Sequence, residues 1–169
     1  MQLKTVLKFL DNISEWSGRV FMWLIIPLTI VVVYEVISRR ILGAAHIWAP
    51  EVTNYLYGPH FMLVAAYTLL HKGHVSIDII YQKFSPRTRG ILDIITYTCL
   101  FFPFCFIMLH QGILFAKTSW MMGETSGSAG MPVVPEIKTV IPVTFALLLI
   151  QGLATYIRAI IQTAKGKDI

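Results

Sequence analysis

The stretch IITYTCLFFPFCFIMLHQGILFA, residues 94–116, runs for 23 residues without Asp, Glu, Lys or Arg. A helix needs about 17–25 predominantly apolar residues to cross a bilayer, so this run predicts a membrane span on its own. Three more runs of the same kind lie on either side of it: Val20–Tyr34 (reaching Ser38 if Glu35 sits near an end), Val52–Leu70 and Thr139–Ile157. The reading is an all-α integral membrane fold, one membrane domain over residues 1–169. Its transmembrane helices are placed at 20–38, 52–70, 91–116 and 139–157.

Composition points the same way. In 169 residues the hydrophobic fraction is 56% and the charged fraction 14%, with a mean hydropathy of +0.67. Soluble domains carry about a quarter charged residues. Intrinsic disorder, collagen and a disulfide scaffold are excluded. The formal charge of +5 belongs beside long apolar runs, where it encodes topology rather than nucleic-acid binding. Cys99 and Cys105 are six residues apart and so about 240° apart around a helix, which disfavours a disulfide or a shared metal.

The cations set a direction. The N-terminal segment, the second connection and the C-terminal tail hold ten Lys and Arg, against four in the remaining connections, namely Arg39, Arg40, Lys117 and Lys138. The positive-inside rule places both termini in the cytoplasm. The run at Val20 reads as a retained span, because Glu35 and Arg39–Arg40 follow it without a small-residue cleavage site. Each span carries a proline: Pro27 and Pro103 are expected to kink their helices, Pro59 lies in the second, and Pro142 is placed in a first turn.

In residues 1–19, Leu3, Val6, Leu7, Leu10 and Ile13 form an apolar stripe opposite Lys4, Lys8, Asp11 and Glu15. That pattern predicts an amphipathic helix lying in the membrane interface. A shorter interfacial helix is predicted at 76–85. The exterior loop is placed at Lys117–Lys138, where Gly123, Gly127, Gly130, Pro132 and Pro135 oppose regular helix.

Polar residues inside a membrane are the first candidates for chemistry. By the predicted topology His60 and His110 both lie in the outer half of the bilayer on consecutive antiparallel helices, a geometry open to bis-histidine haem ligation; a simpler account has each hydrogen-bond a neighbouring helix or a partner subunit. His71 and His74, in H-K-G-H, suit a solvated surface. Glu35 and Arg39 form an i,i+4 pair. The positive neighbours favour ionised Glu35, which argues against the proton carrier of a small exporter. No nucleophile–base pair, nucleotide loop or metal-spaced cluster is present, so neither an enzyme nor a cofactor is expected.

Several segments taken together resemble the small membrane subunit of tripartite ATP-independent periplasmic (TRAP) transporters, the DctQ-like family. They are Y-E-V-I-S-R-R at Tyr34–Arg40, I-W-A-P-E at Ile47–Glu51, G-H-V-S-I-D at Gly73–Asp78 and G-E-T-S at Gly123–Ser126. P-V-V-P-E-I-K-T-V-I-P-V and L-L-L-I-Q-G (Leu147–Gly152) complete the set. Arg40 and Thr144 depart from the usual pattern.

The resemblance implies a non-enzymatic subunit of the bacterial inner membrane with four spans. Its obligate partner would be a large multi-span subunit that carries the substrate and sodium sites and moves as an elevator. Its transient partner would be a periplasmic substrate-binding protein. Arg39, Arg40, Trp48, Glu51 and Glu124 become candidate partner contacts, and His74 and Asp78 candidate structural residues on the cytoplasmic side. The alternatives are a cytochrome-b-type redox subunit using His60 and His110, and a proton-coupled exporter using Glu35.

Overall fold

The computed structural model describes residues 2–73 and 84–165, with side chains from Lys4. Within these residues the chain is helical and contains no strand. Helices α1 (Gln2–Phe21) and α2 (Ile25–Ile41) are joined by a 3-10 turn at Met22–Leu24; α3 (Trp48–Leu63) and α4 (Ala65–Leu70) follow. Next come α5 (Pro86–Thr96), a π-helical turn at Tyr97–Phe101, α6 (Phe102–Met122) and α7 (Val134–Lys165).

Three helical runs are long and apolar enough to cross a membrane: Lys4–Ile41, Pro86–Met122 and Val134–Lys165. The expected second span, 52–70, is divided instead. Helix α3 ends at Leu63, Val64 breaks the regular pattern, and α4 adds only six residues. The expected boundary between an interfacial helix and a first span is bridged, with α1 running through Gly18 and Arg19 to Phe21. The short interfacial helix expected at 76–85 falls mostly outside the described residues.

The prolines act where their missing N–H groups and rings require it. Pro27 would crowd the Trp23 carbonyl, and the chain tightens to a 3-10 turn just before it, where the Ile25 N–H turns to the Met22 carbonyl. The π-helical turn precedes Pro103, with the Phe102 N–H reaching back to the Tyr97 carbonyl. Pro142 lies well inside α7, not in a first turn, because α7 begins at Val134.

Helix ends follow capping chemistry. At the end of α4, Lys72 adopts φ 52° while its N–H and that of Gly73 return to the carbonyls of Leu69 and Thr68. Gly123, at φ 58°, ends α6 in the same way, its N–H and that of Glu124 returning to Trp120 and Ser119. Both are Schellman closures. The connection between α6 and α7 is therefore confined to residues 123–133, shorter than the expected Lys117–Lys138. Ser85 caps α5, accepting from the Thr88 N–H, with Pro86 in the first turn.

The helices form an open row rather than a closed bundle. α2 packs on α3, α3 on α7, and α7 on α5 and α6, whereas α2 makes no extended contact with α6 or α7. α1 packs on α4, α7 and α3 at the end that carries the chain termini. Buried positions hold mostly small or polar side chains (Ala49, Ala66, Cys105, Ala116, Ala154, Ser14, Ser38, Gln151), and large apolar ones such as Ile30, Ile41, Phe61, Phe104 and Met121 face out. That distribution inverts a water-soluble core and suits helices that meet in lipid.

Candidate functional site

The charged and aromatic residues singled out in the sequence gather at the end opposite the termini, where the α2–α3 turn and the 123–133 loop meet. The turn is built around Ser38 of α2 and Gly43 just beyond its end. Gly43, at φ 66°, reverses the chain, and buried Ser38 closes it: the Ala44 N–H donates to the Ser38 carbonyl and Ser38 Oγ donates to the Ala44 carbonyl. This brings His46 back to Glu35. Glu35 Oε1 accepts from Arg39 Nη2 at 2.8 Å and from the His46 amide at 3.3 Å, and Oε2 lies 3.1 Å from His46 Nδ1. The expected Glu35–Arg39 pair is present. The rings of Tyr34, His46 and Trp48 cluster with centroids 5.4–5.9 Å apart, Tyr34 stacked on Trp48 and His46 tilted against both.

Glu51, in the first turn of α3, reaches across to the loop. Its Oε1 accepts the Ser128 and Ala129 N–H groups, each at 3.1 Å. Its Oε2 is buried without a hydrogen-bond donor among the described residues. The neighbouring Ser126 and Ser128 hydroxyls, with those two amides, hold its carboxyl below the usual range. Ser126 also braces the loop internally, its N–H donating to the Met131 carbonyl while its Oγ accepts from the Met131 N–H.

Glu124 anchors the near side of the same loop. It pairs with Lys138 and accepts from Ser119 Oγ at 2.6 Å, and Lys138 before all else lowers its pKa. Lys138 also sits 4.1 Å above the Phe115 ring, and Trp120 Nε1 donates to Thr139 Oγ1 at 2.9 Å.

Of the candidate partner contacts, Glu51 and Glu124 are thus engaged within the chain, while Arg39 and Arg40 stay exposed and Trp48 is half-buried. His46 and the Ser128–Ala129 amides went unnoticed in the sequence. The only available signal for His46 was its position eleven residues after Glu35 across a glycine turn. His74 and Asp78 lie outside the described residues.

The remaining histidines are separate. His60 Nδ1 donates to the Phe21 carbonyl at 3.1 Å, the acceptor that the 3-10 turn deprived of its Ile25 partner. His110 is exposed on α6. α3 and α6 both pack on α7 and make no extended contact with each other, and His60 is engaged by the Phe21 carbonyl. Among the described residues no cluster of His, Cys, Asp or Glu could hold a metal. His71 Nε2 lies 2.7 Å from Glu15 Oε2, and Asp11 takes Arg158 and Gln151. These contacts tie α1 to α4 and α7.

The amino-acid sequence matches the family of tripartite ATP-independent periplasmic transporters, DctQ component, over residues 28–162. The chain belongs to this family. It is also similar to the sialic acid TRAP transporter permease protein SiaT of Haemophilus influenzae (strain 86-028NP), with 22% identity over 111 residues. That alignment takes in 63% of this chain but only 17% of the longer protein. A DctQ component is a membrane part of a transporter, not an enzyme family.

Proposed function

We propose that the chain is the small scaffold subunit of a sodium-coupled TRAP-type secondary transporter that imports organic acids. It braces a large elevator-type subunit and helps to dock a periplasmic substrate-binding protein. Membership of the DctQ family over residues 28–162 carries this reading. Supporting it, the helices form an open row with many large apolar side chains facing out, a shape that offers area to a neighbouring membrane protein.

On this reading the protein is multi-pass in the bacterial inner membrane, with the 52–70 segment as a divided fourth span and both termini cytoplasmic. The Arg39, Arg40 and Trp48 surface then faces the periplasm, with Glu51 and Glu124 shaping the adjoining loop. Candidate roles for His74 and Asp78 lie on the cytoplasmic side.

Co-purification from native membrane in mild detergent tests the assignment. A stoichiometric, much larger multi-span partner is expected. A lone 19.1 kDa species, or substrate transport by this chain alone in liposomes, would overturn it. Within the complex, Glu51→Lys is expected to slow transport without preventing assembly, because the loop beside the docking surface loses its anchor while the helix-packing faces are unchanged. Unaltered transport across a range of binding-protein concentrations would count against that surface.

A further inference from the structure

We propose that the groove between α2 and α3 is a phospholipid site that holds an anionic headgroup at the end away from the chain termini. The groove encloses about 470 Å³. One wall is a single face of α2, where Val32, Val36, Arg39 and Arg40 follow at helical spacing. It passes from apolar to cationic toward the α2 terminus. The facing wall belongs to antiparallel α3, where Asn54 lies one turn further into the groove than Pro50.

Charge selects the occupant. The Glu35 carboxylate, which also lines the groove, is already covered by Arg39 and His46. Arg40 forms no ion pair among the described residues, so the groove carries an uncompensated positive charge. A soluble anion would satisfy Arg40 but leave Val32 and Val36 unused. These two valines open onto a surface continued by exposed Val33 and Ile37. A purely apolar ligand would leave Arg40 and the Asn54 amide unmatched. A phosphodiester with acyl chains matches both ends in order: phosphate at the arginines, ester oxygens near Asn54, chain along the valines. Arginine guanidinium groups meet phosphate oxygens through charge-assisted hydrogen bonds, so a cationic end between two membrane helices matches an anionic headgroup. The inference rests on α2 and α3 lying in a membrane and is independent of the transporter assignment.

The test is native mass spectrometry of the full chain, delipidated and titrated with dioleoyl-phosphatidylglycerol, dioleoyl-phosphatidylcholine or glycerol phosphate. The phosphatidylglycerol is expected to bind one tight site and the other two probes to bind more weakly. Arg40→Gln should weaken it about fivefold, the effect of one cation near a lipid headgroup, while Arg40→Lys retains most of the affinity. Val36→Trp, at an exposed position, should block the groove with the helical circular dichroism unchanged. Equal phosphatidylglycerol affinity in the original protein, Arg40→Gln and Val36→Trp would overturn the site. Glycerol phosphate binding as tightly as the lipid would make it a soluble-anion site instead. Exclusion of the lipid from chain co-purified with a larger membrane protein would show that protein covers the groove, and would equally overturn the proposal.

Discussion

The α6–α7 seam and the α1–α2 arm occupy the same molecule but are held together by different physics. Along the seam, glycines let the helices approach closely. Gly112 faces Ile141 and Pro142, Gly152 faces the Phe101 ring, and on α5 Gly90 lies against Ala159 and Thr163. The arm has one comparable contact, Gly18 against Tyr67. Otherwise polar ties hold it: Asp11 to Arg158 and Gln151, Glu15 to His71, the Phe21 carbonyl to His60, Glu35 to His46. Between helices surrounded by lipid, apolar side chains gain little by meeting one another, and close packing and hydrogen bonds take over. The seam should therefore yield to added bulk and the arm to lost polarity.

The largest effect is expected from Gly152→Val. A Cβ at Gly152 overlaps the Phe101 ring, which is hemmed by Tyr97 and Phe102 at centroid distances of 4.8 and 5.6 Å and so has little room to turn away. Overpacking of this kind costs about 1–3 kcal/mol. Thermal unfolding in detergent should move down for Gly152→Val and far less for Gly58→Val, where nothing lies within 4 Å of the added carbon. Equal shifts would mean that the seam relaxes freely.

Asp11→Ala should come next and should act on the arm alone. It strips Arg158 of its carboxylate and leaves fully buried Gln151, whose Oε1 already lacks a donor among the described residues, without an acceptor for its amide group. Arg158 is partly exposed and can turn to water, so the main cost is that of the buried Gln151 amide left unpaired, about 1–3 kcal/mol. Hydrogen exchange should rise in α1 and stay unchanged in α6 and α7. A matching rise in α6 and α7 would erase the distinction and make arm and seam one cooperative unit.

His60→Ala should have a smaller effect, confined to the junction of α1 and α2. The Phe21 carbonyl would lose the donor that replaces Ile25, a net hydrogen-bond contribution of about 0.5–1.5 kcal/mol. Exchange at Met22–Ile25 reads it directly.

Why the sequence revealed some of this and hid the rest can be traced residue by residue. The absence of charge from 94–116 exposed one apolar helix, and the resemblance carried by Tyr34–Arg40, Ile47–Glu51 and Gly123–Ser126 led to the family. The break at Val64 was invisible, because no Gly, Pro or charge marks it and hydropathy is blind to a local change in backbone pairing. Gly123 was visible but ambiguous: a glycine that ends a helix looks in isolation like the middle of a loop. The roles of Glu51 and Glu124 were beyond reach. Glu51 binds amides 77 and 78 residues away, and backbone donors leave no mark in the choice of side chain.

The smallest expected effect separates the loop anchor from the seam by pH. Lys138 and the Ser119 hydroxyl lower the Glu124 pKa from 4.5, and the Ser126 and Ser128 hydroxyls with two loop amides lower that of Glu51. A carboxyl with a depressed folded pKa contributes stability that is complete above its unfolded value and disappears as pH falls through the folded one. The loop anchor should thus be constant from neutral pH down to about 4.5 and weaken only in stronger acid, where protonated Glu124 loses its attraction for Lys138. Exchange at the Ser128 and Ala129 amides, corrected for its intrinsic pH dependence, follows the Glu51 half, and Trp120 fluorescence reports on the Glu124 half. The Gly112 and Gly152 contacts contain no titrating group and should hold through the same range. Glu51→Gln should remove the acid transition at Ser128 and Ala129 while lowering their protection at neutral pH. If that transition persisted in Glu51→Gln, the amides would be held by something other than this carboxylate, and the loop would not owe its position to α3.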